Sequence, residues 1–178
     1  MISEKMSKAL NEQINKEMYS GYLYMSMSSY FSDQGLDGFA TWFMVQYHEE
    51  MFHAMKIYQY LFDQGSKAVL ASIDKPEESW DSPMAVLEET LAHEKKVTAS
   101  IHNLVKLADS ESDYATSTFL KWYVTEQVEE EKNASDMITR LELAGGGKGP
   151  GLFMVDKELS ARSVGVATDF TGPLSEEE

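Results

Sequence analysis

The 178-residue sequence contains no cysteine, which excludes disulfides, thiolate metal sites and thiol catalysis. It has only 4 prolines, so long stretches of the chain are free to form helices. No apolar run approaches the length of a membrane span, and residues 1–12 lack the apolar core of a secretion signal. These absences favour a cytoplasmic protein that has no membrane partner.

Positive charge is also scarce. The 15 Lys and Arg residues face 30 Asp and Glu residues, which gives a formal net charge of -15. An acidic surface repels nucleic acids and anionic membranes and attracts cations, although many proteins are acidic for solubility alone. We therefore expect no nucleic acid partner, and the 43% hydrophobic content is enough for one globular core.

Four long helices and one short helix are predicted from the spacing of apolar residues and from the positions of capping residues, proline and glycine. They cover residues 3–33, 37–64, 82–108, 112–144 and 151–161. The connection over 65–81 is long enough to cross a whole bundle. This pattern predicts an all-α, ferritin-like four-helix bundle with a long crossover between the second and third helices and a short fifth C-terminal helix.

Each long helix carries an acid where the three- and four-residue spacing predicts a core residue. The acids are Glu17, Glu50, Glu94 and Glu130, and His53 lies one turn after Glu50. Any single glutamate of this kind is more often on a solvated face. Four together with a suitably placed histidine favour convergence in the interior, where bare carboxylates are too costly unless a cation binds them.

The residue types and their spacing indicate which metal the predicted site would bind. Glu50 and His53 are three residues apart and share a helical face. Carboxylates with a single imidazole suit iron, whereas structural zinc more often uses Cys or several His. Di-iron bundles carry Glu-x-x-His on two helices, but the second copy here reads Gln127-x-x-Glu130. We expect weaker binding at that position, which suits a site that loads and unloads its metal.

Several motifs resemble the non-haem ferritins of bacteria and archaea, and they occur in the same order along the chain. The matching segments are Asn15–Ser20, His48–His53, His93–Glu94, Trp122–Glu131 and Leu152–Leu159. The resemblance covers residues 3–162. We therefore predict a ferritin-like di-iron domain over 1–162 and a flexible acidic tail over 163–178.

The resemblance also implies a role for individual residues. In this family, the residues matching Glu17, Glu50 and His53 bind the first iron of a ferroxidase centre. The second iron of the centre is bound by the residues matching Glu50, Glu94 and Glu130, with Gln127 nearby. A third, weaker iron site is formed in the family by the residues matching Glu49, Glu126, Glu129 and Glu130. Tyr24 matches a tyrosine that lies beside the pair of iron ions and supplies an electron; the alternative is a core tyrosine with a hydrogen-bonded hydroxyl.

No haem is expected, because bacterioferritins carry Glu and His where this chain has Gln127 and Glu130.

The function implied is ferroxidase activity coupled to iron storage and detoxification. Fe²⁺ is oxidised by O2 or H2O2, and the Fe³⁺ mineral is kept inside a hollow homo-oligomeric shell, a 24-mer. Three alternatives remain: a di-iron peroxidase or oxidase of rubrerythrin type, a DNA-protecting mini-ferritin and a shell subunit without catalysis. The absence of cysteine argues against the rubrerythrin type, and the acidic charge argues against the DNA-protecting mini-ferritin. The presence of Glu17, Glu50 and His53 argues against a subunit without catalysis.

Overall fold

The computed structural model describes residues 1–168, which form five α-helices and no strand. The helices are α1 Glu4–Asp33, α2 Asp37–Asp63, α3 Pro83–Ser110, α4 Tyr114–Leu143 and α5 Gly149–Leu159. The predicted all-α bundle with a short fifth helix is confirmed. Of the tail predicted to be flexible, residues 163–168 contain no helix, and residues 169–178 lie outside the described part of the chain.

Local side-chain chemistry determines where the helices begin. The Ser3 hydroxyl accepts from the Met6 amide at 3.0 Å, and the Ser82 hydroxyl accepts from the Ala85 amide at 3.2 Å, so both act as N-caps. The fourth helix was predicted to begin at Ser112. It begins two residues later, because Ser112 has a left-handed φ of 56° and Asp113 is the N-cap.

The predicted bounds of the fifth helix, 151–161, are two residues too late at both ends. The predicted helix follows Pro150, but in the structure this proline lies in the first turn, where its missing N–H costs nothing. The helix ends at Leu159, so residues 160–168 continue as turns and irregular chain.

The bundle is built from two helical hairpins. The short connection 34–36 makes α1 and α2 antiparallel neighbours, and residues 111–113 do the same for α3 and α4. The crossover between the hairpins runs along most of the length of α1, where polar side chains hold its backbone. The contacts are Asn11 Oδ1 with Val69 N, Asn15 Nδ2 with Ser72 O, Ser26 Oγ with Glu77 O, and Tyr30 OH with Trp80 O.

Two apolar clusters fill the core. One includes Phe31, Phe39, Phe43, Leu87 and Leu141, and the other includes Leu10, Ile14, Ile57, Ile101 and Leu120. The three- and four-residue spacing predicts core positions on each long helix. All of them are buried on α1 (Leu10, Ile14, Glu17, Gly21, Tyr24, Ser28, Phe31) and on α4 (Leu120, Tyr123, Gln127, Glu130, Ala134, Met137, Leu141). On α3 the spacing predicts Leu91, Thr98 and Val105 in the core, but these are only half-buried, and the residue before each of them, Thr90, Val97 and Leu104, is buried instead. Tyr60 on α2 is also half-buried, and its hydroxyl bonds Thr116 Oγ1.

The short helix α5 is attached to the start of α2. The Phe39 amide donates to Asp156 Oδ1 at 3.0 Å, so this carboxylate satisfies one of the free N–H groups at the helix N-terminus. A Cβ atom at Gly38 would lie 1.6 Å from the Asp156 carbonyl oxygen, so only glycine permits this approach. The attachment directs the chain after α5 back along α2.

Among the described residues, no helix combines the length and the apolarity that a bilayer crossing requires.

Candidate metal centre

A layer of polar side chains separates the two apolar clusters. We call five of them the inner cluster, because each is at most 3% exposed although each is ionisable. Its members are Glu17 on α1, Glu50 and His53 on α2, Glu94 on α3 and Glu130 on α4. All four helices of one chain therefore contribute to the layer, whereas a mini-ferritin site lies between subunits.

Three members of the inner cluster are close enough to share one ion. Ligand atoms of Glu17, Glu50 and His53 all lie within 4.8 Å of one another. The contact of His53 Nδ1 with Glu50 Oε2, at 3.4 Å, is long for a hydrogen bond. Within residues 1–168, Glu17 Oε2, Glu50 Oε2 and His53 Nε2 are buried without a hydrogen-bond partner. Buried unpaired oxygens and nitrogens are costly in an apoprotein, and a cation would satisfy all three.

Amide side chains hold the remaining oxygens of two acids. Gln13 Nε2 donates to Glu17 Oε1 at 2.8 Å, and Gln46 Nε2 donates to Glu130 Oε2 at 2.8 Å. Each carboxylate is thereby oriented through one oxygen and keeps the other for a ligand.

Glu94 is held differently, because both of its oxygens already have partners. Tyr24 OH donates to Oε1, and Gln127 Nε2 donates to Oε2 at 3.1 Å. Among the described residues, Glu94 is not in the group that Glu17, Glu50 and His53 form, and neither of its oxygens is without a partner. Tyr24 is fully buried, and its bonded hydroxyl connects it directly to this predicted ligand.

The electrostatics of the inner cluster follow from burial and crowding. Burial, followed by the neighbouring Glu94 carboxylate, raises the pKa of Glu130 to about 8. Burial likewise raises the pKa of Glu50 and of Glu94. Burial lowers the pKa of His53, but the surrounding carboxylates, Glu50 first, outweigh it and raise that pKa well above its ordinary value. Protons therefore neutralise part of the cluster when no metal is bound.

The predicted third site lies toward the surface. We call Glu49, Glu126 and Glu129 the outer cluster. Ligand atoms of His53, Glu126 and Glu130 lie within 4.8 Å of one another. The structure does not bring Glu49 or Glu129 into any such group among the described residues: Glu129 is exposed, and Glu49 Oε2 bonds Arg162 Nη2 at 2.7 Å.

The aromatic, histidine and acidic residues around the two clusters have ordinary packing environments. The Trp122 ring centroid is 5.4 Å from that of His53, and Lys56 Nζ lies 4.9 Å from the Trp122 centroid. His93 Nε2 bonds Ser20 Oγ at 2.8 Å, and burial followed by Lys96 lowers its pKa to about 4. Of the other two histidines, His48 is half-buried and His102 is exposed. The Glu131 carboxylate accepts from Thr98 Oγ1 at 2.6 Å, which directs it toward α3.

Sequence reasoning missed the residues that orient the acids. Gln13 lies four residues before Glu17 and Gln46 four before Glu50, so a search for amides one turn from each acid could have found both. Gln46 bonds Glu130 rather than its own helix neighbour. No signal marked Arg162, because it follows the last helix and reaches α2 only through the fold.

Comparisons with known proteins agree with this architecture. The sequence profile of the ferritin-like domain matches residues 7–144. A probable bacterial non-heme ferritin-like protein of Haemophilus influenzae is 43% identical over 159 residues, covering 89% of this chain and 96% of the relative. A bacterial non-heme ferritin of Staphylococcus epidermidis is 40% identical over 166 residues, covering 92% and 98%. The crystal structure of an open-pore ferritin from Archaeoglobus fulgidus matches with a TM-score of 0.89 and 50% identity, covering 92% of this chain and all of the other.

The fold and the buried carboxylate layer define a four-helix bundle with a candidate metal centre inside one subunit. With these likenesses over nine-tenths of its length, the chain belongs to the ferritin family, and specifically to its non-haem branch. Its function is iron storage with ferroxidase activity, the oxidation of Fe²⁺ to Fe³⁺.

Proposed function

We propose that the inner cluster is a dinuclear ferroxidase site whose substrate is Fe²⁺. Glu17, Glu50 and His53 take the first ion, and Glu50 bridges to a second ion held by Glu94 and Glu130, with Gln127 beside it. The observation that carries this proposal is the set of three buried ligand atoms without partners, Glu17 Oε2, Glu50 Oε2 and His53 Nε2. Carboxylates with one imidazole form the donor set that iron accepts.

The redox balance requires two ferrous ions for each oxidant. Each Fe²⁺ gives one electron, and O2 takes two electrons and two protons to become H2O2. H2O2 can in turn take two electrons and two protons to become two waters. The anionic site favours the product, because a carboxylate stabilises Fe³⁺ more than Fe²⁺ by the additional charge. When H2O2 is reduced to two waters, Tyr24, whose hydroxyl bonds Glu94, is proposed to supply one of the two electrons and a further Fe²⁺ the other.

The outer cluster, together with Glu130, is proposed as the third and weaker iron site. Its acids lie between the inner cluster and solvent: Glu126 has 27% of its side chain exposed, and Glu49 has 17%. Ferric product needs an enclosed space in which to mineralise, and one bundle offers none. We therefore propose a homo-oligomeric shell, with 24 subunits as the resemblance to the non-haem ferritins implies. We further propose a cytoplasmic location and no haem, nucleic acid or membrane partner.

Aerobic oxidation of Fe²⁺ tests the site directly. We expect wild type to oxidise two Fe²⁺ per subunit in a fast phase, followed by ferric absorbance, whereas Glu50→Gln and His53→Ala lose that phase. Glu142→Gln is the matched control, because Glu142 is an exposed glutamate on α4. Equal rates in all four proteins would remove the catalytic proposal while leaving storage in place.

Sedimentation tests the shell separately. We expect a single particle with about twenty-four times the mass of the chain, and mineral-loaded particles of the same diameter but higher density. A stable monomer or dimer at micromolar concentration would contradict the proposed shell, because neither can enclose mineral.

A further inference from the structure

Arg162 joins the chain after α5 to α2 through two contacts. Its Nη2 donates to Glu49 Oε2 at 2.7 Å, and its guanidinium carbon lies 4.7 Å from the centroid of the Trp42 ring. Trp42 and Glu49 are two turns apart on α2 and so share one face. Only 22% of the Arg162 side chain is exposed, so most of it is packed against the protein.

The pair does not have the geometry of an optimised structural bridge. The strongest arginine–carboxylate pairs are bidentate, with two parallel N–H···O bonds. Here Nη2 alone bonds the carboxylate, and Nη1 is buried without a hydrogen-bond partner in residues 1–168. A guanidinium with an unsatisfied buried nitrogen is held less firmly than one with all its donors paired.

The carboxylate held by Arg162 belongs to a residue of the proposed third site. Glu126 and Glu130 already lie with His53 in a group suited to a metal ion, and Glu49 does not. The Arg162 guanidinium bonds Glu49 Oε2, and its positive charge opposes a metal ion that approaches the same carboxylate, so the two cations compete for Glu49.

We infer that Arg162 is a positioning residue that competes with metal ions for Glu49, so that the third iron position is complete only when the guanidinium leaves this carboxylate. The inference rests on the proposed function, because it takes the outer cluster to be a metal site next to the inner one. Arg162 therefore lowers the affinity of the third position and favours passage of iron over its retention there.

Titration of the metal-free protein with Zn²⁺, which undergoes no redox reaction, tests this by calorimetry. Arg162→Gln removes the charge and keeps much of the side-chain length. We expect it to bind the third equivalent about tenfold more tightly than wild type. Arg140→Gln is the matched control, because it removes the same charge from an exposed pair with Glu158, and we expect no change in it.

A double variant tests whether the gain in Zn²⁺ affinity depends on Glu49. In Arg162→Gln combined with Glu49→Gln the gain must disappear, and zinc-edge anomalous diffraction of Arg162→Gln must place an ion at Glu49. An unchanged affinity for the third ion, no third ion in any variant, or a gain that survives in the double variant would each overturn the inference. Circular dichroism confirms that each variant is folded before titration.

Binding of the first two equivalents of Zn²⁺ distinguishes a failure of this inference from a failure of the proposed function. They bind equally in wild type and in Arg162→Gln if Arg162 acts only on the third position, and Glu17→Gln loses one or both of them. If Glu17→Gln kept both, the inner site would be refuted, whereas the effect of Arg162 on the third equivalent would still be measured in the same titration.

Discussion

The inner and outer clusters are both rich in glutamate, yet the fold treats them oppositely. The inner acids are almost completely buried, three of them accept hydrogen bonds from amide or hydroxyl groups, and Glu17 and Glu50 each keep an oxygen without a partner. The outer acids are half-buried or exposed, and Arg162 bonds one of them, Glu49. Burying several acids with too little counter-charge costs free energy that a bound metal ion would recover, whereas water and Arg162 already stabilise the outer acids. Burial, rather than acid content alone, therefore makes the inner cluster the candidate for tighter binding.

The largest expected difference between the clusters is in the rate of iron oxidation. We expect Glu17→Gln to slow the initial phase at least about tenfold, because the amide replaces a charged, proposed ligand that would favour Fe³⁺ by about several kcal/mol in a dry site. Glu129→Gln should change that phase less than about twofold. Stopped-flow absorbance at two Fe²⁺ per subunit measures both, and equal effects would break the distinction.

The second difference is in the stability of the metal-free protein. Glu130→Gln keeps the shape and removes a buried acid, so we expect it to raise the free energy of unfolding by about 1–3 kcal/mol. The same change at exposed Glu129 should stay within about 0.5 kcal/mol. Urea unfolding of metal-free protein at pH 7.5 measures both. Destabilisation by Glu130→Gln would show that its bond with Gln46 outweighs the cost of the buried charge.

The third difference is the dependence of that stability on pH. The pKa of Glu130 rises from an ordinary 4.5 to about 8 on folding. Its favourable contribution is therefore fully present below pH 4.5 and is lost as the pH rises toward 8. His53, whose pKa is also raised, acts in the same direction. We expect the Tm of metal-free protein to fall by several degrees between pH 5 and pH 8.

Two further samples sharpen that measurement. Glu130→Gln should show a shallower fall than wild type, because one proton-binding group is gone. Protein saturated with Zn²⁺ should show little fall or a rise, since metal replaces the protons. A Tm that is constant from pH 5 to pH 8 in all samples would mean that the inner acids have ordinary pKa values.

The smallest effect is expected at the amide that supports the inner cluster from α1. Gln13→Leu removes the donor to Glu17 Oε1 and leaves the acid in place, so we expect roughly a two- to fivefold loss in affinity for the first Zn²⁺. Calorimetry measures it, and Gln59→Leu is the control, because Gln59 bonds exposed Asp63 on the surface of α2. A loss as large as that of Glu17→Gln would mean that Gln13 acts as a ligand itself.

Much of the site was open to prediction because helical periodicity is local. The positions of Glu17, Glu50, Glu94 and Glu130 follow from counting residues along each helix, and all four are buried as the spacing predicts. The phase of α3 was partly wrong, because apolar residues occur at both Leu104 and Val105 and the sequence does not say which one faces the core. Periodicity places a stripe on a helix but cannot resolve a choice between two adjacent residues of similar hydrophobicity.

The sequence by itself determined the five helices, their order and the buried acid on each long one, since these depend on spacing, caps and side-chain chemistry within a few residues. Only the tertiary structure decided which atoms meet. The bonds of Gln46 to Glu130, of Tyr24 to Glu94 and of Arg162 to Glu49 join residues 70 to 113 positions apart. Such contacts depend on the relative rotation and translation of whole helices, and no local pattern in the chain encodes those.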